Sequence, residues 1–378
     1  MADLEQGNPL SGVRVIDLTS NVAAPFGGAV LADLGADVVH VEGPNGDDCR
    51  RMSPVMGQSS AYFHVVNRNK SGIVLDIRIP EDRERLNELL ADADVFLCNL
   101  RPGKLEKYGL DADALRARFP RLIHATLSAY GSQGHERDKP GYDAVLQART
   151  GIASVTGMPD GPPVRAGVSI LDVGAGTWLA LGVVAALFRR QQTGVGGAVT
   201  TSLFETGANW VAYHVAANQA SGQESGRHGS GHPAFSPYGI FTTGDGDICI
   251  GIGGDAQFAK LCSLLGLDVL VADPRFATNA DRARNSVVLK IELEAAFASS
   301  SAVDLAERLG QAGLPVDAVF LPEHLLVDDQ AAANSVLLNI PVDGHSDLTV
   351  PGLPLTFDGV RPQIRTGSPV WVPRDTEH

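Results

Sequence analysis

The sequence of 378 residues predicts an α/β fold built on a parallel sheet. Short apolar runs alternate with helical segments through residues 12–131, a pattern typical of parallel strands with helices on both faces of the sheet. The composition agrees, because 42 Gly and 22 Pro beside only 6% aromatic residues indicate many tight turns between short elements.

The first βαβ unit occupies residues 12–42, where VRVIDL and ADVVHVE are the apolar runs and PFGGAVLADLG has the helical pattern. Three later apolar runs predict further strands, at residues 71–77, 93–100 and 122–131. The C-terminal ends of parallel strands form one edge, where ligands of such sheets bind. We therefore expect a site in the loops that follow the strands, after Leu18, Glu42, Asn99 and Ser128.

The length favours two domains. Residues 218–240 are poor in aliphatic side chains and rich in Gly and Ser, which is typical of a linker or mobile loop. We expect a large domain, a smaller domain that includes this linker, and a C-terminal segment that returns to the large domain, at residues 1–214, 215–330 and 331–378.

Charge and targeting patterns exclude several partners. A net charge of −14 argues against nucleic acid and anionic membranes, which bind through Lys and Arg. The N-terminus has no signal-peptide pattern, and no run reaches the roughly 18 apolar residues of a membrane span. A cytoplasmic protein is expected. Its four cysteines are far apart and are expected to be reduced thiols, namely Cys49, Cys98, Cys249 and Cys262.

Asp172 lies in VSILDVGAGTWLALGVVAALFRR, between a strand-like run and a Gly-x-Gly turn that opens an apolar helix. One interpretation is an ordinary N-cap, which accepts hydrogen bonds from free backbone N–H groups. The other is a nucleophile for an acyl group, kept ionised by the helix dipole, with Gly174 and Gly176 leaving room for a second molecule. Position alone favours the N-cap.

Basic residues concentrate in three loops that strand order should bring to one edge, namely Arg68, Lys70, Arg101, Lys104, Lys107 and Lys139. They are either scattered surface charges or a rim that binds phosphate groups. A dinucleotide site with Glu42 on the ribose is a weaker alternative, because the turn TSNVAAPFGG lacks the G-x-G-x-x-G pattern.

GIGGD at residues 251–255 lies between a strand-like and a helical run, and is either a simple turn or a lid that excludes water from a reactive centre. The ten histidines form no close metal-ligand pair on a helix, and His228 and His232 are expected to be surface residues of a flexible loop. We therefore expect no metal site.

Together these segments resemble family III CoA-transferases, with α-methylacyl-CoA racemase as a close relative. The resemblance spans most of the chain, including PLSGVRVIDLT, LADLGADVVHVE, NRNKSGIVLDI, ADVFLCNLRPGKLEKYGL, KPGYD, SILDVGAGTWLALGVVAALF and FTTGDGDICIGIGGDAQFAKLC. It implies a Rossmann-like large domain, a smaller α+β domain and an interlocked homodimer.

The resemblance also implies the chemistry. Asp172 would attack an acyl-CoA thioester to form a mixed anhydride and then an aspartyl-CoA thioester, and a free carboxylic acid would leave as the new acyl-CoA. The lid glycines would be Gly253 and Gly254. No tightly bound cofactor is implied, only CoA as part of the substrate. Its expected binding residues are Asn21, Val22, Lys70, Asn99, Leu100, Arg101, Lys107 and Lys139.

Two alternatives stay open beside transfer. A racemase needs a His in a GHD-type motif, but the corresponding residues here are Gly141, Tyr142 and Asp143. Tyrosine is a poor replacement for a base poised near neutrality, so transfer is favoured over racemisation. The other alternative is a non-catalytic protein that binds acyl-CoA.

Overall fold

The structure is a computed structural model that describes residues 8–372, and its architecture is mixed α/β as the sequence predicts. The strands in chain order are β1 (Arg14–Leu18), β2 (Asp37–Glu42), β3 (Val55–Met56), β4 (Ser59–Ser60), β5 (Lys70–Val74), β6 (Val95–Cys98), β7 (Ile123–Ser128), β8 (Gly197–Ser202), β9 (Tyr238–Thr242), β10 (Asp247–Gly251), β11 (Val316–Ala318), β12 (Leu337–Ile340) and β13 (Leu348–Pro351).

Helices connect these strands and cover them. In chain order they are α1 (Ala23–Asp33), α2 (Ala61–Asn67), α3 (Pro80–Ala91), α4 (Pro102–Tyr108), α5 (Ala112–Arg118), α6 (Asp143–Arg149), α7 (Ile152–Val155), α8 (Ile170–Thr193), α9 (Leu203–Trp210), α10 (Ala212–Ser221), α11 (Asp255–Leu265), α12 (Asp268–Ala272), α13 (Asn279–Arg284), α14 (Ser286–Phe297), α15 (Ala302–Gln311) and α16 (Asp329–Ala333). Short 3-10 turns occupy Asp48–Arg51, Pro274–Phe276 and Pro322–Val327.

The central sheet has six parallel strands in the order β5-β2-β1-β6-β7-β8. Val15 of β1 pairs with Val38 of β2 on one side and with Val95 of β6 on the other. In chain order, β2 and β5 extend the sheet on one side of β1, and β6, β7 and β8 then extend it on the other side. The reversal point lies between β1 and β6, and ligands of open parallel sheets bind outside the strand ends at such a point.

Hydrophobic cores cover both faces of this sheet. Consecutive strand residues point to opposite faces, so Val15 joins the core beneath α1 and α8 while Ile16 joins the core beneath α3 and α5. Full burial of a large side chain such as Phe96 contributes about 1.5–3 kcal/mol. The apolar runs of the sequence are therefore the buried strands.

Helices α1 and α8 pack closely because glycines lie at their contact. A Cβ atom on Gly176 would lie 2.4 Å from the carbonyl oxygen of Ala23, and one on Gly27 would lie 2.9 Å from the carbonyl oxygen of Gly176. Backbone atoms cannot yield as a flexible side chain can. These two positions therefore require glycine.

The start of α8 differs from the sequence expectation. The helix begins at Ile170, so Asp172 lies inside its first turn, and the Gly-x-Gly pair lies within the helix instead of forming a turn before it. A Cβ atom on Gly174 would lie 2.3 Å from the Trp210 ring. The missing side chains of Gly174 and Gly176 thus make room for neighbouring elements of the same chain, whereas the sequence suggested that they make room for a ligand.

Helix α8 is also long and apolar enough to cross a membrane by length and composition, in contrast to the expectation that no segment would be. Half of its most apolar window is buried inside the protein. A core helix of a water-soluble protein passes the same test.

The described residues divide into two compact units. The large unit contains the residues up to Ile152, Ala166–Ala216, and the residues from Leu326 onward. The small unit contains Ala217–Leu325, close to the expected range of 215–330, together with Ala153–Arg165. No sequence pattern indicated that this second segment belongs there.

The small unit is built on an antiparallel sheet in which β10 lies between β9 and β11. Ile248 and Ile250 point into a core formed with helices α11, α12, α14 and α15. Arg227 anchors the segment Ala153–Arg165 by donating to the carbonyl oxygens of Met158 at 3.1 Å and Gly161 at 2.8 Å. The half-buried Arg227 side chain therefore ties a distant stretch of chain to this unit.

The C-terminal segment belongs to the large unit. The Asn69 side-chain oxygen accepts the N–H groups of Arg365 at 2.6 Å and Thr366 at 2.9 Å, and Arg50 donates to the carbonyl oxygen of Pro369 at 2.9 Å. These contacts fix the returning chain beside β5.

We predict that Gly176→Ala destabilises the fold by about 1–3 kcal/mol, the usual effect of overpacking a close contact. The added methyl group would have to displace the backbone at Ala23. Thermal or urea unfolding measures the change. Gly310→Ala is the matched control, because a Cβ atom at this exposed helical position meets nothing within 4 Å, and replacing a helical glycine there should stabilise by up to about 1 kcal/mol. Equal stability of the two variants would contradict the packing argument.

Candidate active site

The loops after β1 and β6 meet at the reversal point of the sheet and are fixed to each other. The Asn99 side chain accepts the N–H of Ser20 at 3.0 Å and donates to the carbonyl oxygen of Ser20 at 2.8 Å. Asn21 has a left-handed φ of 67°, and its N–H is held by the Asp47 carboxylate at 3.0 and 3.1 Å. Two expected ligand-binding positions, Asn21 and Asn99, are thus brought together.

Two helices begin at this edge. Val22 precedes α1, whose first turn has no side-chain cap and no acidic residue. The first N–H groups of a helix have no partner within it and attract anionic groups. Leu100 follows β6, where its N–H contacts the Cys98 sulfur at 3.4 Å, and Arg101 is the N-cap residue of α4.

Lys70 is completely buried, and its placement corrects the expectation that it contacts a phosphate. The ammonium group donates to Asp17 Oδ2, the Pro25 carbonyl oxygen and Asn67 Oδ1, each at 2.8 Å. Burial opposes ionisation of Asp17, but Lys70 and His40 together outweigh it and hold the pKa of Asp17 well below its usual range. All three ammonium hydrogens are used, so Lys70 ties β5 to β1 and α1 beneath the site.

The remaining basic residues divide into buried and exposed groups. Arg68 is buried and donates to Asp33 Oδ2 at 2.9 and 2.6 Å, so it is structural. Lys139 is exposed and bonds Glu136 at 2.9 Å in the loop after β7. Arg101, Lys104 and Lys107 are exposed on or beside α4. The expected rim of six basic residues is therefore reduced to four.

Glu42 is not placed to hold a ribose. Its carboxylate accepts Arg50 Nε at 2.7 Å and the N–H of Asp47 at 2.9 Å, and the side chain is buried. Burial would raise the pKa of Glu42, but the Arg50 contact lowers it below the usual value. The dinucleotide alternative thus loses its acidic residue.

The start of α8 is capped from another element. The Asp143 carboxylate, at the first residue of α6, accepts the N–H of Leu171 at 2.7 Å and the N–H of Asp172 at 3.2 Å through Oδ2. Asp172 itself caps nothing in the described part of the chain, and no hydrogen bond from those residues reaches its carboxylate oxygens. The N-cap interpretation of Asp172 is therefore wrong, because Asp143 has that role.

The environment of Asp172 favours its protonated form. Burial, followed by the negative charge of Asp143, raises the pKa of Asp172 to about 7 from an ordinary value of 3.8. The helix dipole was expected to keep Asp172 ionised, but Asp143 already occupies the N–H groups at this helix end. Asp172 is thus a half-buried carboxyl group that titrates near neutrality, which is typical of functional sites.

A half-open cavity of about 500 Å³ runs along the same end of α8. Its wall is almost entirely apolar, and it is lined by Val168, Ser169, Ile170, Val173, Gly174, Thr177, Trp178 and Trp210. Asp172 is not among the residues that line this cavity.

The packing of α1 against α8 brings the two halves of the candidate site together. Ala23, the first residue of α1, lies against Gly176, one turn after Asp172. The loop with Asn21 and Val22 and the turn with Asp172 are therefore neighbours. The profile of CoA-transferase family III matches residues 10–371. The chain is a family III CoA-transferase.

Relatives of this CoA-transferase agree along nearly the whole chain. The acetyl-CoA:oxalate CoA-transferase of Acetobacter aceti is 35% identical over 364 residues, which are 96% of this chain and 92% of that protein. The succinate–glutarate CoA-transferase of Agrobacterium fabrum is 33% identical over 353 residues, 91% of this chain and 88% of that protein. A CAIB/BAIF family protein from Brucella suis has a crystal structure with a TM-score of 0.87 and 34% identity, and the match covers 97% of both chains.

In this CoA-transferase the tyrosine and aspartate side chains of the GYD motif have different environments. Tyr142 is 70% exposed, whereas Asp143 is buried against α8. Gly253 and Gly254 lie in the small unit, where Gly254 precedes α11 and a Cβ on Gly253 would lie 3.1 Å from the Phe235 ring. Their role as a lid stays a prediction. Within residues 8–372 no group of three His, Cys, Asp or Glu side chains is arranged to hold a metal ion.

Asp143 was not selected from the sequence as a functional residue. Two sequence features could have pointed to Asp143, namely its position at the start of a helix and a glutamine four residues later. Neither signal reveals that the helix it caps is α8, 28 residues away from it at Leu171.

We predict that Asp172→Asn stabilises the protein above neutral pH. Because folded Asp172 keeps its proton up to about pH 7 and the unfolded carboxyl ionises near pH 4, its contribution to stability is complete below about pH 4 and is lost as the pH rises to about 7. At pH 8 the variant should be more stable by about 2 kcal/mol, and the gain should shrink towards pH 5.

Urea unfolding at several pH values measures this difference. Asp160→Asn, which removes an exposed carboxylate, should not reproduce the pH dependence. A constant difference between Asp172→Asn and the unaltered protein from pH 5 to 8 would show that the carboxyl group is not held in its protonated form.

Proposed function

We propose that this CoA-transferase moves CoA from an acyl-CoA to a free carboxylic acid through covalent intermediates on Asp172. The observation that carries the proposal is a half-buried carboxyl group whose pKa is raised to about 7, next to the start of α1. The relatives support a carboxylic acid as acceptor, since their names include oxalate and glutarate.

The reaction begins with ionised Asp172. A carboxylate oxygen attacks the thioester carbonyl carbon, the C–S bond breaks, and CoA leaves as a thiolate while a mixed anhydride remains on the enzyme. The thiolate then attacks the Asp172 carbonyl carbon of this anhydride. The bond between the Asp172 carbonyl carbon and the bridging oxygen breaks, the first acid leaves as a carboxylate that keeps this oxygen, and an aspartyl-CoA thioester remains.

The second half follows the same steps in reverse. The acceptor carboxylate attacks the aspartyl thioester, which gives a new mixed anhydride and CoA thiolate. Attack of the thiolate on the acceptor's carbonyl carbon forms the new acyl-CoA and returns Asp172 as a carboxylate. No redox change occurs, and each bond formed replaces one that breaks.

The CoA part is proposed to bind at the edge formed by the loops after β1, β6 and β7. Asn21, Val22, Asn99 and Leu100 offer backbone groups around the start of α1, and Arg101, Lys107 and Lys139 offer exposed positive charge for the phosphates. Gly253 and Gly254 are proposed to exclude water, because a mixed anhydride hydrolyses readily. Lys70 supports this region from beneath.

A homodimer and a cytoplasmic location stay predictions. The outer face of α8 favours a second copy as partner, because Val173, Leu181 and Phe188 on this face are 44%, 55% and 63% exposed.

We predict a covalent adduct on Asp172 after mixing with acyl-CoA in the absence of an acceptor acid. Intact mass spectrometry should detect the added mass, and hydroxylamine should release it because both intermediates are activated acyl groups. Asp172→Asn should form no adduct, and its kcat should fall by about 10³-fold or more, as expected for a nucleophile.

Asp160→Asn is the control and should keep both adduct and activity. An unmodified chain across a broad panel of CoA thioesters would favour a protein that binds acyl-CoA without catalysis. Exchange of the α-proton of an α-methylacyl-CoA in deuterated water, without need for a second carboxylic acid, would favour racemisation.

We also predict that Arg101→Ala and Lys107→Ala each raise the KM for acyl-CoA about tenfold, the effect of losing one charge-assisted hydrogen bond. The KM for the carboxylic acid should change little in steady-state kinetics. Arg116→Ala is the control, since this exposed residue near the end of α5 lies towards the opposite edge of the sheet. Equal effects of all three variants would place the phosphates elsewhere.

A further inference from the structure

A buried hydrogen-bond relay holds the first turn of α8. Asp143 Oδ2 accepts from the backbone at Leu171 and Asp172, and its Oδ1 accepts Gln147 Nε2 at 2.5 Å. Gln147 Oε1 in turn accepts the N–H of Ala166 at 2.8 Å. Asp143 and Gln147 are 6% and 0% exposed. Two side chains of α6 therefore fix both the helix that carries Asp172 and the chain leading into it.

We propose that Asp143 is a positioning residue, which fixes the turn that carries Asp172 and through its own charge sets the pH range in which Asp172 attacks a thioester. The inference rests on the proposed role of Asp172 as nucleophile. Asp143 itself does not contact the substrate in this role.

The other charged groups around the start of α8 have partners of their own, which leaves Asp143 as the charge near Asp172. From α6, Arg149 is engaged by Glu136 at 3.2 Å. From α9, the Glu205 carboxylate accepts the Ser202 hydroxyl at 2.6 Å and lies beside Gly131.

Helix α1 meets α8 through small and apolar residues, and its Asp33 is paired with Arg68. Of the described residues, Asp143 is thus the one whose charge acts on Asp172.

This arrangement has a chemical consequence for the covalent steps. Two carboxylates at one helix end repel each other while Asp172 is ionised. Acylation of Asp172, or its conversion to a thioester, removes one of the two charges and relieves the repulsion. Asp143 therefore favours both covalent intermediates over the free carboxylate.

The test separates the charge of Asp143 from its hydrogen bonds. In Asp143→Asn the amide oxygen can still accept from the start of α8, but the amide nitrogen then faces Gln147 Nε2, so that two donors oppose each other. In the double variant Asp143→Asn with Gln147→Glu, the glutamate accepts from the new amide and from Ala166. The relay is kept, and the negative charge moves one side chain away from Asp172.

Two measurements follow the ionisation of Asp172 in these variants. One is the pH dependence of kcat/KM. The other is an infrared titration of the protonated carboxyl band that disappears in Asp172→Asn, which needs no substrate. In Asp143→Asn both midpoints should move about one pH unit or more to lower pH, because removal of a like charge favours ionisation. The double variant should move in the same direction by a smaller amount.

Glu205→Gln is the matched control, since it removes a carboxylate from α9 and should leave both midpoints in place. A folded double variant that titrates like the unaltered protein would overturn the inference, and so would a double variant that does not fold, since the restored relay would then be insufficient. A shifted infrared midpoint without any covalent adduct contradicts the proposed function alone. Adduct formation with an unshifted midpoint contradicts only the role of Asp143.

Discussion

The close contact between α1 and α8 is the constraint on which the site depends. Gly176 allows the α8 backbone to approach Ala23, and Ala23 begins the helix that follows the loop at the reversal point of the sheet. A side chain at this contact would separate the loop with Asn21 from the turn with Asp172. The distance between the proposed CoA-binding edge and the proposed nucleophile is thus set by the size of one residue, Gly176, which takes no part in the proposed chemistry.

Three buried cations of the large unit are paired with carboxylates. Lys70 meets Asp17, Arg68 meets Asp33 and Arg50 meets Glu42, which is how proteins compensate the cost of taking charges out of water. Asp172 departs from this pattern, because the charge of Asp143 that acts on it has the same sign. A site that keeps two carboxyl groups together without a cation is unfavourable for stability, and such arrangements occur where a reaction needs them.

Sequence patterns predicted the sheet well because burial selects apolar residues, and the runs around Val15, Val38 and Phe96 are the strands observed. For Asp172 the sequence predicted the wrong local structure, since a helix start inside an apolar run lacks its own cap when another element supplies it. Lys70 and Arg68 were misjudged because residue type does not reveal burial.

The segment Ala153–Arg165 and the role of Asp143 were missed for a related reason, since each depends on contacts between residues distant in the chain.

The raised pKa of Asp172 also bears on the direction of the proposed reaction. In the mixed anhydride the CoA thiolate has two carbonyl carbons to attack. Attack at Asp172 expels the substrate carboxylate, whereas attack at the acyl carbon expels Asp172. An ordinary carboxylic acid titrates near pH 4 and is the weaker base, so it is the better leaving group beside an aspartate that titrates at about pH 7. In the proposed reaction, burial of Asp172 and the charge of Asp143 therefore direct the thiolate towards the aspartyl thioester, so that the donor acid leaves before the acceptor acid reacts.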